Sequence, residues 1–87
     1  MGYHLSKINR GNYGEFSKIK EETEELEDSI KQNNKIMQLV ELSDLIGAIE
    51  GFLNNNFAGI YLEDLIIMKD ATKKSFKDGT RKSRNEE

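Results

Sequence analysis

One segment limits what this chain can fold into, because its apolar side chains would cover most of the circumference of a helix. It runs from about Lys35 to Leu53, and its apolar residues are Ile36, Leu39, Val40, Leu42, Leu45, Ile46, Ile49, Phe52 and Leu53. A helix that is apolar nearly all round usually lies at the centre of an assembly. The chain has 87 residues, which leaves little material to cover such a helix. We therefore expect a partner subunit.

The rest of the chain predicts two more helices and no sheet, since proline is absent and alternating β-branched residues are scarce. The first helix is expected over about residues 14–32, where apolar side chains recur at steps of three and four. Its apolar stripe consists of Phe16, Ile19, Thr23, Leu26 and Ile30. The third helix is expected over about residues 61–78.

Turn and cap signals predict where these helices end. Asn33 and Asn34 predict a turn, with Asn34 as the N-cap of the second helix. The run Asn54–Asn56 is expected to end that helix. Gly79 suits the C′ position after the third helix.

The chain is expected to form one all-α domain over residues 1–87, with an irregular N-terminus at 1–13 and a basic, irregular tail at 80–87. It has no cysteine, so it offers neither a disulfide nor a thiolate metal site. We expect a cytoplasmic protein without a membrane partner, because no apolar run could span a bilayer and no signal-peptide pattern is present. The net charge of −3 makes it a poor candidate for a nucleic-acid binder.

Four carboxylates are predicted to converge between the first two helices. Glu41 and Asp44, three residues apart, occupy the one narrow polar wedge of the second helix. Glu22 and Glu25 repeat that spacing on the shoulder of the first helix's apolar stripe. Converging carboxylates repel one another unless a divalent cation lies between them, and an all-oxygen site suits Mg²⁺. Di-iron centres in helical bundles normally include a Glu-x-x-His pair, which this chain lacks.

Other residues of the first two helices have simpler interpretations. Helical phase turns three acids of the first helix away from its apolar stripe, which is typical of a solvated face: Glu21, Glu24 and Asp28. A row of small residues follows the second helix at steps of four and indicates close packing: Ser43, Gly47 and Gly51.

The pattern Glu21-Glu22-x-x-Glu25, followed after fifteen residues by Glu41-x-x-Asp44, resembles the EExxE and ExxD signature of the MazG-like, all-α nucleoside triphosphate pyrophosphohydrolases. The surroundings, KIKEETEEL at 18–26 and VELSDLIGAI at 40–49, look like that family's two metal helices. The likeness covers roughly residues 14–81. The short length, the YGEFSKIKEE opening and the FKDGTR ending look most like small MazG-like proteins of phages and bacteria.

The resemblance implies a fold, a reaction and a cofactor. Subunits of the family pair so that helices from two chains form a four-helix bundle, which implies a three-helix subunit in a homodimer or a dimer of dimers. The enzymes convert a nucleoside triphosphate or deoxynucleoside triphosphate to the monophosphate and pyrophosphate with Mg²⁺, and Mn²⁺ is a possible substitute. By motif, the catalytic metal ligands are Glu22, Glu25, Glu41 and Asp44. Glu21 is expected in a supporting role, because its helical phase points elsewhere.

The family also implies basic residues on a later helix that grip phosphate. Lys69 and Lys73 are the candidates. They lie within the apolar stripe of the third helix, where a lysine can otherwise simply extend its ammonium to the helix edge. Arg81, in the tail, is a further candidate for a phosphate contact. The third helix carries no asparagine, which departs from the family pattern and leaves recognition of the sugar or base unassigned.

Two other functions stay open on the sequence alone. A non-catalytic helical oligomer could bind or sequester a nucleotide or a signalling dinucleotide, and a structural coiled coil would need no ligand. A nucleotide binder needs basic and aromatic contacts but has no use for four converging acids, so these acids favour the enzyme.

Overall fold

The computed structural model describes Leu5 and residues 7–78, with side chains through Lys73. These residues form three helices and no strand: α1 at Phe16–Lys31, α2 at Lys35–Asn56 and α3 at Leu62–Asp78. The prediction of an all-α chain is confirmed. Gly79, Arg81 and the basic tail lie outside the described residues. In the part of the chain that is described, no helix combines the length and the hydrophobicity needed to cross a membrane.

A tight turn between α1 and α2 makes the two helices antiparallel neighbours. Asn34 caps α2 as predicted, since its side-chain oxygen accepts a hydrogen bond from the Met37 backbone N–H at 3.1 Å. Asn33 has a φ of 56°, a left-handed conformation that asparagine tolerates better than most residues. The turn sends α2 back along α1, so that the end of α2 reaches the start of α1.

The asparagine run ends the second helix as predicted, but α2 extends one turn beyond the predicted Leu53 and includes Asn54–Asn56. The carbonyl of Gly14 explains the extra turn, since it accepts hydrogen bonds from the Asn55 and Asn56 side chains at 3.1 and 3.3 Å. Asn56 also donates to the Phe52 carbonyl at 2.9 Å. These bonds satisfy groups near a helix end that would otherwise need water. Asparagine therefore extends α2 here by joining it to the chain before α1.

Acids are buried between α1 and α2, while many large apolar side chains are exposed. Glu22 and Ser29 of α1 and Glu41 of α2 are buried, whereas Phe16 at the start of α1's predicted apolar stripe is 64% exposed. Within the described residues, Ala48 and Leu53 are the buried apolar side chains. Exposed large apolar residues on α2 include Ile36, Leu39, Val40, Leu42 and Ile46. The third helix contacts α2 and makes no contact with α1 in the described part.

The prediction of a solvated face at Glu21, Glu24 and Asp28 is wrong. The irregular segment before α1 lies against this face, and its backbone N–H groups find acceptors there. The Leu5 N–H donates to both carboxylate oxygens of Asp28 at 2.9 and 3.0 Å, and Asp28 is 2% exposed. Glu21 and Glu24 are half-buried. Helical phase alone could not reveal this cover, because the covering segment has no periodicity of its own.

Two glycines of the predicted small-residue row on α2, Gly47 and Gly51, have different surroundings. A Cβ atom built on Gly51 would lie 2.5 Å from the ring of Tyr13, so a larger residue here would require this exposed ring to move. A Cβ built on Gly47 would meet nothing within 4 Å in the subunit. The close approach at Gly51 is therefore made by a side chain of the N-terminal segment.

These two glycines give a matched test of the packing of the N-terminal segment. Gly51→Ala is expected to be less stable than Gly47→Ala by about 1 kcal/mol, because the new methyl group must displace the Tyr13 ring. Gly47→Ala is expected to be neutral or stabilising by up to about 1 kcal/mol, because alanine favours the helix. Urea unfolding at one protein concentration measures both. Equal destabilisation by the two changes would contradict the Tyr13 contact as the cause.

Candidate metal centre

Antiparallel packing of α1 on α2 brings the predicted acids together. Glu22 and Glu25 come from the middle of α1, and Glu41 and Asp44 come from the facing turns of α2. Glu22, Glu41 and Asp44 each offer a carboxylate oxygen within 4.8 Å of the others. Glu21, Glu22 and Glu25 form a second such group, so Glu22 belongs to both. The expected convergence is present in the structure, while the role of these residues as ligands stays a prediction.

The two central acids are buried more deeply than charged groups usually are. Glu22 is 5% exposed and Glu41 is 1% exposed. Oε1 of Glu22 and Oε1 of Glu41 have no hydrogen-bond partner. A buried polar atom without a partner costs about 1–3 kcal/mol, and more when it is charged. Two such oxygens in one group of carboxylates are the donor set that a divalent cation with oxygen ligands requires.

Glu21 belongs to this cluster, which its helical phase did not predict. Its Oε1 accepts a hydrogen bond from the Gly11 backbone N–H at 2.8 Å and lies 3.1 Å from the Lys18 ammonium. Burial raises the pKa of the Glu21 carboxyl, but the hydrogen bonds from Gly11 and Lys18 outweigh burial and leave the pKa below its ordinary value. Glu21 is therefore an ionised carboxylate already held by donors of the chain itself.

Lys18 supplies the positive charge next to the acids. Its Nζ lies 3.1 Å from Glu21 Oε1 and 3.2 Å from Glu22 Oε2. The hydrogen bond with Glu21 raises the pKa of Lys18, against a smaller opposing effect of burial. Sequence analysis did not assign Lys18 a role, although its spacing could have done so. Lysine at i with glutamates at i+3 and i+4 places all three side chains on one side of a helix.

Crowding of carboxylates leaves the cluster partly protonated when it has no metal. Burial, together with the hydrogen bond to Glu21 and the charge of Glu22, raises the pKa of Glu25 to about 8. Burial also raises the pKa of Glu22, where the Lys18 ammonium opposes it and the Asp44 charge reinforces it. A cation that binds these oxygens must displace protons, so metal affinity is expected to rise with pH.

Among the described residues, no ion pair joins the predicted phosphate-binding lysines to the clustered acids. Lys69 on α3 pairs with its neighbour Asp70 at 2.7 Å, and both side chains are exposed. Lys73 is exposed as well. Because α3 makes no described contact with α1, one subunit does not bring these lysines onto the cluster. Their role in substrate binding, like that of Arg81, stays a prediction.

The raised pKa of Glu25 predicts how the stability of the metal-free protein depends on pH. The folded state holds a proton up to about pH 8, whereas the ordinary value is 4.5. The stabilisation is therefore complete below about pH 4.5 and is lost as pH rises through 8. The raised pKa of Glu22 acts in the same direction. The lowered pKa of Glu21 changes stability at pH values below the ordinary pKa of glutamate. The raised pKa of Lys18 changes stability at pH values above the ordinary pKa of lysine.

We expect the free energy of unfolding in chelator to fall between pH 5 and pH 9, and Glu25→Gln to flatten that fall. Glu27→Gln, an exposed position on the same helix, is the control and should keep the wild-type slope. Urea unfolding at a series of pH values measures the three proteins. A Glu25→Gln variant with the wild-type slope would contradict the assignment.

Comparison with protein-family models, with curated proteins and with solved structures found no match for this chain. The likeness to the MazG-like enzymes therefore depends on the two carboxylate motifs.

Proposed function

We propose that this chain is a Mg²⁺-dependent nucleoside triphosphate pyrophosphohydrolase, similar to the MazG-like enzymes. The observation that carries the proposal is the pair of buried, unpartnered oxygens on Glu22 and Glu41. A helical protein without a ligand gains nothing from burying these groups face to face. A protein that binds a phosphate-bound cation needs them there.

The chemistry of the donors supports a hard cation. The two groups of ligand candidates consist of carboxylates alone: Glu21, Glu22, Glu25, Glu41 and Asp44. Carboxylate oxygens favour Mg²⁺, Ca²⁺ and Mn²⁺ over the metals that prefer sulfur or imidazole. Mg²⁺ keeps several waters and is commonly held by a few carboxylates together with substrate phosphates. Mn²⁺ fits the same donors and is useful as a probe.

The proposed reaction is the hydrolysis of a nucleoside triphosphate, and the clustered acids would serve it by holding the metal ion. Water cleaves the α–β phosphoanhydride bond and gives a nucleoside monophosphate, pyrophosphate and a proton. A bound Mg²⁺ would supply charge neutralisation and would lower the pKa of the attacking water. Glu22 and Glu41, fixed by burial, would hold the cation together with Glu25 and Asp44. Without a cation, this cluster would repel a triphosphate rather than bind it.

The assembly is proposed to be a homodimer or a dimer of dimers. Large apolar side chains of α2 are exposed although Glu41 of the same helix is buried, which leaves a hydrophobic surface for another subunit. A second copy that covers this surface would complete a four-helix bundle around the acids. Lys69 and Lys73, exposed on α3, are proposed to contact phosphate in that assembly.

The alternative of a non-catalytic nucleotide binder is distinguished by turnover. Purified protein is incubated with each ribo- and deoxynucleoside triphosphate and Mg²⁺, and pyrophosphate release is measured. We expect turnover of at least one nucleotide. Glu41→Gln and Asp44→Asn are each expected to lower kcat/KM by about a hundredfold or more, because each removes a metal ligand.

Glu50→Gln is the matched control for this assay, since Glu50 is an exposed glutamate on the same helix. It should retain wild-type activity. Nucleotide binding that chelator leaves unchanged, without turnover of any nucleotide, would contradict the enzyme and favour the binder. Full activity in Glu41→Gln would contradict the assigned site.

The oligomer has its own test in solution. Sedimentation equilibrium of the wild-type protein is expected to show a dimer or tetramer at micromolar concentration. Leu39→Lys should shift it toward monomer and lower its stability, because a charge then lies in the apolar surface between subunits. Glu50→Lys places the same side chain at an exposed polar position and should remain oligomeric. A stable, fully helical wild-type monomer would contradict the proposed assembly.

A further inference from the structure

The acids between α1 and α2 form two groups, which differ in how many of their carboxylates are paired with Lys18. The first group, Glu21, Glu22 and Glu25, lies on α1 alone and includes the ion pairs of Lys18. The second group, Glu22, Glu41 and Asp44, joins α1 to α2 and contains both unpartnered oxygens. Glu22 lies in both groups, and one of its two oxygens is paired while the other has no hydrogen-bond partner.

The two oxygens of Glu22 differ in their partners. Oε2 lies 3.2 Å from the Lys18 ammonium, while Oε1 is buried without a hydrogen bond. An ion pair on one oxygen of a planar carboxylate fixes where the other oxygen points. Lys18 therefore orients Glu22 so that Oε1 stays available to a cation.

Glu21 is satisfied by the chain itself, which removes it from competition for a metal. Its Oε1 accepts from the Gly11 N–H at 2.8 Å and pairs with Lys18 at 3.1 Å. A cation that bound the Glu21 and Glu22 oxygens nearest Lys18 would have to displace its ammonium. A cation that bound Oε1 of Glu22 together with Glu41 and Asp44 would displace none of these contacts.

From this asymmetry, and on the basis of the proposed function, we infer that Lys18 is a positioning residue that occupies the Glu21–Glu22 side of the cluster. A divalent cation then binds first through Glu22, Glu41 and Asp44. In the absence of substrate, each subunit holds one cation, and Lys18 acts as the counter-charge where a second cation would otherwise bind.

Direct titration of the metal-free protein with Mn²⁺ tests this inference without enzymatic turnover. Calorimetry and electron paramagnetic resonance both report the number of bound ions and their affinity. The wild-type protein is expected to bind one Mn²⁺ per subunit. Lys18→Met, which keeps the length of the side chain but removes its charge, is expected to bind a second. Lys18→Arg should restore single binding because it restores the counter-charge.

Controls separate a local effect from a general change in charge. Lys20→Met removes the same charge from an exposed position two residues along α1 and should bind one Mn²⁺. Asp44→Asn is expected to weaken the first binding event by about tenfold or more, since it removes a ligand. Glu21→Gln is expected to weaken it much less. This Asp44 and Glu21 comparison decides the order of binding even if Lys18→Met does not fold.

The outcomes distinguish this inference from the function on which it rests. Wild-type protein that binds no Mn²⁺ would overturn both. Single binding in the wild type with unchanged number and affinity in Lys18→Met would overturn the role of Lys18 and leave the metal centre intact. Two equivalent ions in the wild type, or a larger loss from Glu21→Gln than from Asp44→Asn, would likewise overturn the assigned order alone.

Discussion

The burial of carboxylates from two helices against each other is the constraint on which the rest of this structure depends. Glu41 is the most deeply buried large side chain in the described part of the chain, and Glu22 faces it from α1. α2 buries Glu41 together with Ala48 and Leu53, while Ile36, Leu39 and other large apolar side chains of the same helix are exposed. A carboxylate is thus buried while apolar surface stays outside, where the proposed partner subunit would cover it.

Magnitudes decide whether such a cluster is tolerable without a ligand. Each buried, unpartnered oxygen costs about 1–3 kcal/mol, whereas a whole small domain has a net stability of about 5–15 kcal/mol. Lys18 offsets part of this cost at Glu21 and Glu22, and protonation of Glu25 offsets more. Lys18 contacts Oε2 of Glu22, and Oε1 of Glu22 and Oε1 of Glu41 have no hydrogen-bond partner. In the proposed centre, a divalent cation would satisfy both oxygens and replace repulsion between the carboxylates with attraction to the ion.

The sequence could predict what depends on helical periodicity. The three helices, the Asn34 cap and the convergence of Glu22, Glu25, Glu41 and Asp44 all follow from spacing along regular helices. It could not predict contacts made by the irregular N-terminal segment, because such contacts have no period. The Gly11 N–H that holds Glu21 and the Leu5 N–H that covers Asp28 were missed for this reason.

The length of α2 and the environment of α1's apolar stripe show a second limit of sequence analysis. Asparagine often lies in turns that end helices. Here the side chains of Asn55 and Asn56 donate hydrogen bonds to the carbonyl of Gly14, which is distant in sequence, and both residues are part of α2. Periodicity located the apolar stripe of α1 but could not tell whether it packs within the subunit or against another copy. Phe16 is exposed in the single subunit, whereas the acids on the shoulder of the stripe make the contact with α2.

The most direct test of the central claim is the stability of wild-type and Glu41→Gln proteins, each measured by urea unfolding with chelator and with Mg²⁺ at one protein concentration. We expect Glu41→Gln to be more stable than wild type in chelator, by about 1–3 kcal/mol, because it removes a repelling buried charge. Mg²⁺ at a hundredfold excess over its Kd should stabilise the wild type by about 2.7 kcal/mol and the variant far less. Equal effects of Mg²⁺ on both proteins, or none on the wild type, would contradict a metal centre between α1 and α2.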